Sequence, residues 1–205
     1  MSDTYRVRVR GRTSWRRFAV AAGLMTVLSG GILVMLQQGV MAASFMVSGQ
    51  QFKVSADTLD ATGFVNYGWI DQHADGSPQP VAVSAMKHAE LRNLCQSVLT
   101  TLPIVGDITL KLTAGKDSPV VAENMFVDMA QLDGNATFTN IEIGRDASTL
   151  DKGPPGAKGL QSLFSQQADK VHIDNLQQVA WSTNAGSFKL TGLRMKISSG
   201  KDECF

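Results

Sequence analysis

No charged residue occurs between Phe18 and Phe52, a gap of 35 positions. A solvated surface segment does not go that long without charge. The core of the gap, Phe18 to Leu36 (FAVAAGLMTVLSGGILVML), is almost wholly apolar. A hydrocarbon layer about 30 Å thick takes roughly 20 such residues as a helix. Cysteine is scarce as well, with only Cys95 and Cys204. Neither has a histidine or second cysteine at ligand spacing, which argues against a zinc or iron–sulfur centre. The chain also lacks the Gly-x-Ser-x-Gly turn of α/β-hydrolases and any glycine-rich phosphate loop. No metal site and no cofactor is expected. The three histidines, His73, His88 and His172, meet no nucleophile motif, and no catalytic residue is assigned.

Six arginines precede the uncharged run: Arg6, Arg8, Arg10, Arg12, Arg16 and Arg17. Positive charge is retained on the cytoplasmic side, so these residues orient the segment with its N-terminus inside. Their stripe also suits anionic headgroups of membrane lipid. The expected organisation is a basic cytoplasmic tail at 1–17, a transmembrane helix or signal-anchor at 18–43, and an extracytoplasmic domain at 44–205. The localisation that follows is the cell membrane, single-pass. Val40–Met41–Ala42 before Ala43 offers the alternative, cleavage near Ala42 and secretion. Gly23, Ser29, Gly30 and Gly31 are small enough for close helix contact within a homo-oligomer.

The formal charge of +1 averages two unlike parts. Beyond residue 20 the chain holds 13 Lys plus Arg against 17 Asp plus Glu, a balance of −4. That mildly acidic domain has no footprint for nucleic acid. Two cysteines in an exported segment most simply form one disulfide, Cys95 to Cys204, which ties down the C-terminus.

The outer domain reads as mainly β, an antiparallel β-sandwich or curled sheet. Alternation runs through Phe52, Val54 and Ala56; Val81, Val83 and Ala85; and Ile108, Leu110 and Leu112. Each such run predicts one buried and one wet face. Two helices are also predicted, over 88–102 (Leu91, Leu94, Cys95, Val98 and Leu102 at 3- and 4-residue steps, stopped by Pro103) and over 159–171. A template recurs in Val54 to Leu59, Val121 to Met125 and Val171 to Leu176: a β residue, an acidic residue or its neighbour, then an apolar residue. It reads as a repeated strand–turn–strand unit. Phe64, Tyr67, Trp69 and Trp181 are either core aromatics or a ligand-binding group. Asp71 to Gly76 reads as a polar turn with His73 solvated, and His172 with Asp174 as a solvent-face pair.

Leu94–Cys95–Gln96–Ser97–Val98, Phe164 to Asp169, Gln178 to Thr183 with Ala185 to Phe188, and the terminal Glu203–Cys204–Phe205 resemble an uncharacterised family. Its members are membrane-anchored proteins of Streptomyces-like actinobacteria. Some carry the automatic name cholesterol esterase. The resemblance implies a cell-envelope protein whose partners are membrane lipid and an envelope or membrane protein. The alternatives it leaves are a lipid-ester hydrolase and a structural assembly protein.

Overall fold

The computed structural model describes residues 46–47 and 49–205. The basic tail, the apolar segment and Arg6, Arg8, Arg10, Arg12, Arg16 and Arg17 lie outside them. Among the described residues no helix is long and apolar enough to cross a membrane.

Among the described residues ten strands follow one another: β1 (Met46–Val47), β2 (Phe52–His73), β3 (Pro78–Arg92), β4 (Leu94–Leu102), β5 (Gly106–Ala114), β6 (Val120–Thr139), β7 (Glu142–Asp146), β8 (Phe164–Asn184), β9 (Ser187–Lys189) and β10 (Arg194–Ser199). One 3-10 turn, Ala147–Thr149, is capped by the Asp146 carboxylate, which accepts from Ser148 N at 2.9 Å. The domain is mainly β, as its alternation predicts. Four long strands close on themselves: β2 pairs β3, β3 pairs β6, β6 pairs β8, and β8 pairs β2, all antiparallel. This is a barrel and not two stacked sheets. Outside it, β4 pairs the start of β2, β5 pairs β4, and β10 pairs β5, forming a three-stranded flap. β7 and β9 border β8 and β6.

A straight 22-residue strand would span about 70 Å, yet the two ends of β2 meet the same end of β8. Phe52 pairs Ala180, while the His73 ring stands 5.3 Å from that of Trp181. β2 therefore curls back on itself. The curl is written in the inward residues. Along β2 the core takes Val54 and Ala56, then Leu59 and Ala61, then Phe64. Regular strands alternate every second residue, so each three-residue step turns the strand over. The neighbours turn at the same two levels. Beside Ala56/Leu59 stand Leu91/Leu94 and Ile173/Leu176; beside Ala61/Phe64 stand Met86/Ala89, Ala168/Val171 and, on β6, Ala122/Met125.

Each turnover leaves two consecutive residues outside, and one is often in the left-handed region. Asn93 (φ 51°), Asn124 (φ 49°), Asn175 (φ 54°) and Gly63 (φ 64°) do this. Asparagine tolerates that region far better than a β-branched or bulky residue. The recurring template is thus the signature of these turnovers (Ala56-Asp-Thr-Leu59, Ala122-Glu-Asn-Met125, Ile173-Asp-Asn-Leu176), and not a repeated hairpin.

The same device corrects the predicted helix over 88–102. Leu91 and Leu94 are three apart because the backbone turns over at Asn93, between β3 and β4. The segment 159–171 is also not helical: 159–163 is irregular and Phe164 opens β8, whose Ser165 and Gln167 are fully buried against neighbouring strands and loop.

The main core fills the barrel, and its inward methionines are Met86, Met125 and Met129. A second, smaller core uses the opposite strand face: Val65, Tyr67, Val81, Val83 and Ala85 pack under Ala147, Leu150 and Ala157 of the β7–β8 connection. Gly153 and Gly159 allow that close approach, since a Cβ there would stand 2.8 Å from Val65 and 2.7 Å from Ala147.

The turnovers set a testable asymmetry. Asn175→Gly should leave stability within a few tenths of a kcal/mol, since glycine adopts positive φ freely. Asn175→Val should cost about 1–2 kcal/mol or more. Chemical denaturation of the two variants measures the difference. Removing the disulfide, which closes 109 residues of sequence, should cost up to about 4–5 kcal/mol. The Cys95→Ser, Cys204→Ser variant tests this by the same titration.

Candidate functional site

Three features stand out as candidate sites, and the first lies on the flap. Its two faces are unequal. Ser97 and Thr109 are buried on one face beneath the C-terminal residues. Thr109 Oγ1 donates to the Gly200 carbonyl at 2.7 Å, Cys204 N donates to Ser97 Oγ at 3.0 Å, and Lys111 Nζ meets Asp202 at 2.8 Å. The Cys95–Cys204 disulfide locks this cover in place, with the Cα atoms 5.8 Å apart. The other face carries the cross-strand rows Gln96–Leu112–Met195 and Val98–Leu110–Ile197. Met195 and Ile197 are 63% and 70% exposed. The alternation of Ile108, Leu110 and Leu112 predicts that this face is buried. The polar face is buried instead, because the disulfide-held tail lies on it.

The apolar flap face runs into the barrel. Leu112 packs against the main core, and Leu94 and Gln96 line a cavity there with Leu132, Phe188 and Gln178. The cavity holds only about 40 Å³, far below the 300–1,000 Å³ of ordinary ligand pockets. A four-stranded barrel is too narrow for a lumen; even eight strands leave space only for side chains or one small ligand.

The second feature gathers polar groups at the curled end of β2. Tyr67 belongs to the second core, against which Trp69 and Trp181 pack. Phe64 does not join them. It faces the main core, its ring 5.6 Å from that of Phe138. Beside these aromatics stand Asp71 and Asp128. Burial, and then the Asp128 charge, push the Asp71 carboxyl up to about 6. Burial also raises Asp128, although the Ser182 hydroxyl donates to it. Burial, followed by both carboxylates, pushes the Tyr67 phenol up to about 12. His73 is not solvated as a turn residue would be. Its Nε2 lies 3.3 Å from Gln79 Oε1, while its Nδ1, Asp71 Oδ2 and Trp181 Nε1 are buried without a hydrogen-bond partner. The sequence signal for Asp71 is its two-residue step from Trp69 and Tyr67, which places it on their strand face. Asp128 and Ser182 gave no local signal, because register alone pairs them.

The third feature is an outward row across the barrel. His172 Nδ1 is 2.7 Å from Asp60 and its Nε2 is 3.2 Å from Asp174; His88 Nδ1 is 2.7 Å from Glu123 and its Nε2 is 3.4 Å from Glu90. The hydrogen bond to Asp60 raises the His172 imidazole above its ordinary value, and the hydrogen bond to Glu123 does the same for His88. The pairing of His172 with Asp174 matches the solvent-face expectation and gains a partner from β2. His88 sits within β3 and opens no helix. Both rings are engaged by carboxylates on each side. Among the described residues no group of three or more His, Cys, Asp and Glu is arranged to hold a metal.

Asp71 fixes a pH dependence. Its folded pKa is raised, so its protonated form favours the fold. That contribution is complete below the unfolded value near 4 and is lost as pH rises through about 6. A two-unit shift corresponds to about 2.7 kcal/mol, which partial exposure and solvent screening reduce to about 1 kcal/mol. Asp71→Asn should therefore raise the melting temperature at pH 7.5 and change it little at pH 3.5. Thermal melts at the two pH values measure this.

Comparison with known proteins gives one match. No curated protein and no solved structure matches the chain. A family model matches residues 48–205, which span the barrel, the flap and the disulfide. The chain belongs to that family, DUF6230, a family of unknown function.

Proposed function

We propose that this protein is a single-pass, membrane-tethered module of the cell envelope that binds an apolar ligand or a membrane partner without catalysis. The carrying observation is the apolar flap face of Val98, Leu110, Leu112, Met195 and Ile197, open on one side and continuous with the barrel mouth. Scattered exposed hydrophobic residues need no explanation, but a contiguous row rimmed by polar groups marks an interaction surface. The tether is read from the uncharged run and the six arginines before it. Actinobacterial origin rests on the family resemblance alone.

Ester hydrolysis would need a serine hydroxyl activated by His88 or His172. Both rings give their hydrogen bonds to carboxylates, so binding is the better-supported reading. Among the described residues β10 lies at the edge of the sheet, and an edge strand presents unpaired backbone groups through which two copies can pair.

Native mass spectrometry of the full-length protein, taken from membranes in mild detergent, tests the proposal. The expected result is an uncleaved chain, two hydrogens lighter for the disulfide, carrying an apolar ligand, a partner or a second copy. Met195→Glu with Ile197→Glu should shed that occupant and leave the melting temperature nearly unchanged, because both side chains are exposed. A bare chain beginning at Ala43 would contradict the proposal.

A further inference from the structure

The most exposed large apolar side chain of the described residues is Ile104, at 97%. It stands between β4 and β5, where Leu102, Pro103, Ile104 and Val105 follow in sequence, with Val105 64% exposed. No residue from Leu94 to Gly106 is charged. Hairpin tips exposed to water ordinarily carry Gly, Asn, Asp or Ser, which solvate the turn. This tip offers four apolar side chains in their place. Thr101 Oγ1 donates to Asp107 Oδ1 at 2.6 Å, which occupies the nearest carboxylate.

The position of the tip is as specific as its composition. Thr100 Oγ1 donates to Gln50 Oε1 at 3.0 Å, so the hairpin is tied to the residues by which the chain enters β2. Four positions before Gln50, Met46 pairs with Gln72. The apolar run ends at Leu36, and only residues 37–45 separate it from Met46. That segment reaches at most about 35 Å when fully extended. It too is uncharged. The tip is therefore tied to the end of the domain at which the chain enters β2, and the linker of residues 37–45 can reach no farther than about the thickness of a bilayer.

We infer that the β4–β5 tip, Leu102 to Val105, seats in the interfacial layer of the bilayer that holds residues 18–36. The inference rests on the tether proposed above and adds a second point of contact. Two contacts fix the orientation of a domain that a single point of attachment does not orient. They also bring the apolar flap face beside the lipid, because Leu110 and Ile197 lie on the same hairpin and its neighbour strand. A four-residue apolar wedge whose Ile104 is almost wholly exposed suits a soft, non-directional apolar layer.

The test places an indole at the tip. Full-length protein carrying Ile104→Trp is reconstituted in nanodiscs of phosphatidylcholine and phosphatidylglycerol, with and without bromine on the upper acyl chain. Wild-type emission from Trp15, Trp69 and Trp181 is subtracted. Seating at an interfacial depth of about 5–10 Å predicts short-wavelength difference emission, of which bromine quenches roughly half. Difference emission at the wavelength of a water-exposed indole, indifferent to bromine, overturns the inference and leaves the tether standing. Short-wavelength emission indifferent to bromine also overturns it, and assigns the tip to a protein partner or a second copy. Failure of the wild-type chain to enter nanodiscs removes the tether and the tip contact together.

Discussion

The barrel depends on turning its strands over. Four strands of 15 to 22 residues cannot close a narrow barrel while remaining straight, since a strand of that length overshoots a small domain by tens of ångströms. The solution is two levels at which strands set two consecutive residues outside and resume their inward face three residues on; β2 and β8 do so at both, β3 at one and again at its junction with β4, and β6 at one. The outward pairs are polar or glycine: Asp57–Thr58, Thr62–Gly63, Lys87–His88, Arg92–Asn93, Glu123–Asn124, Asp169–Lys170 and Asp174–Asn175. Register forces the turnovers to coincide, because a face that changes on one strand alone would expose its neighbours' apolar side chains. The outward histidine row follows from this arrangement. His88 lies at one turnover level, and His172 lies between the two, where their partners on adjacent strands are acidic.

Closure also decides what the domain presents to its surroundings. Side chains of four strands fill the interior, so the apolar surface left for binding lies outside. The disulfide determines which surface that is. By holding residues 200–205 over Ser97 and Thr109, it buries the polar face of the flap and leaves Leu110, Met195 and Ile197 uncovered. The same anchor gives Thr109 both its hydrogen bonds, to Gly200 and Asp202. A buried hydroxyl without them would cost about 1–3 kcal/mol. The exposed hydrophobic face is therefore a structural consequence of where the tail lies.

The sequence made the β class and the cysteine pairing legible. It also displayed the turnover template, but three copies of Ala-Asp-Thr-Leu type look like a repeat when the strands' register is unknown. The helix over 88–102 failed for the same reason: a strand turned over at Asn93 imitates helical spacing between Leu91 and Leu94. The flap misled the alternation rule because the rule assumes that the apolar side is the covered one. Tyr67, Trp69 and Trp181 were found as a group, since aromatics announce themselves. Asp71 and Asp128 were not, because a carboxylate's burial is set by partners 57 positions away in sequence, which local pattern does not encode.

The barrel stands on the left-handed turnovers, and backbone NMR of the folded domain reads them directly. Each of Asn93, Asn124 and Asn175 should show the strong intraresidue amide-to-α-proton NOE of positive φ, set within stretches whose other residues show the strong sequential NOEs of extended strand. Extended-strand NOEs running without interruption through all three asparagines would contradict the barrel as described. So would helical NOEs across 88–102.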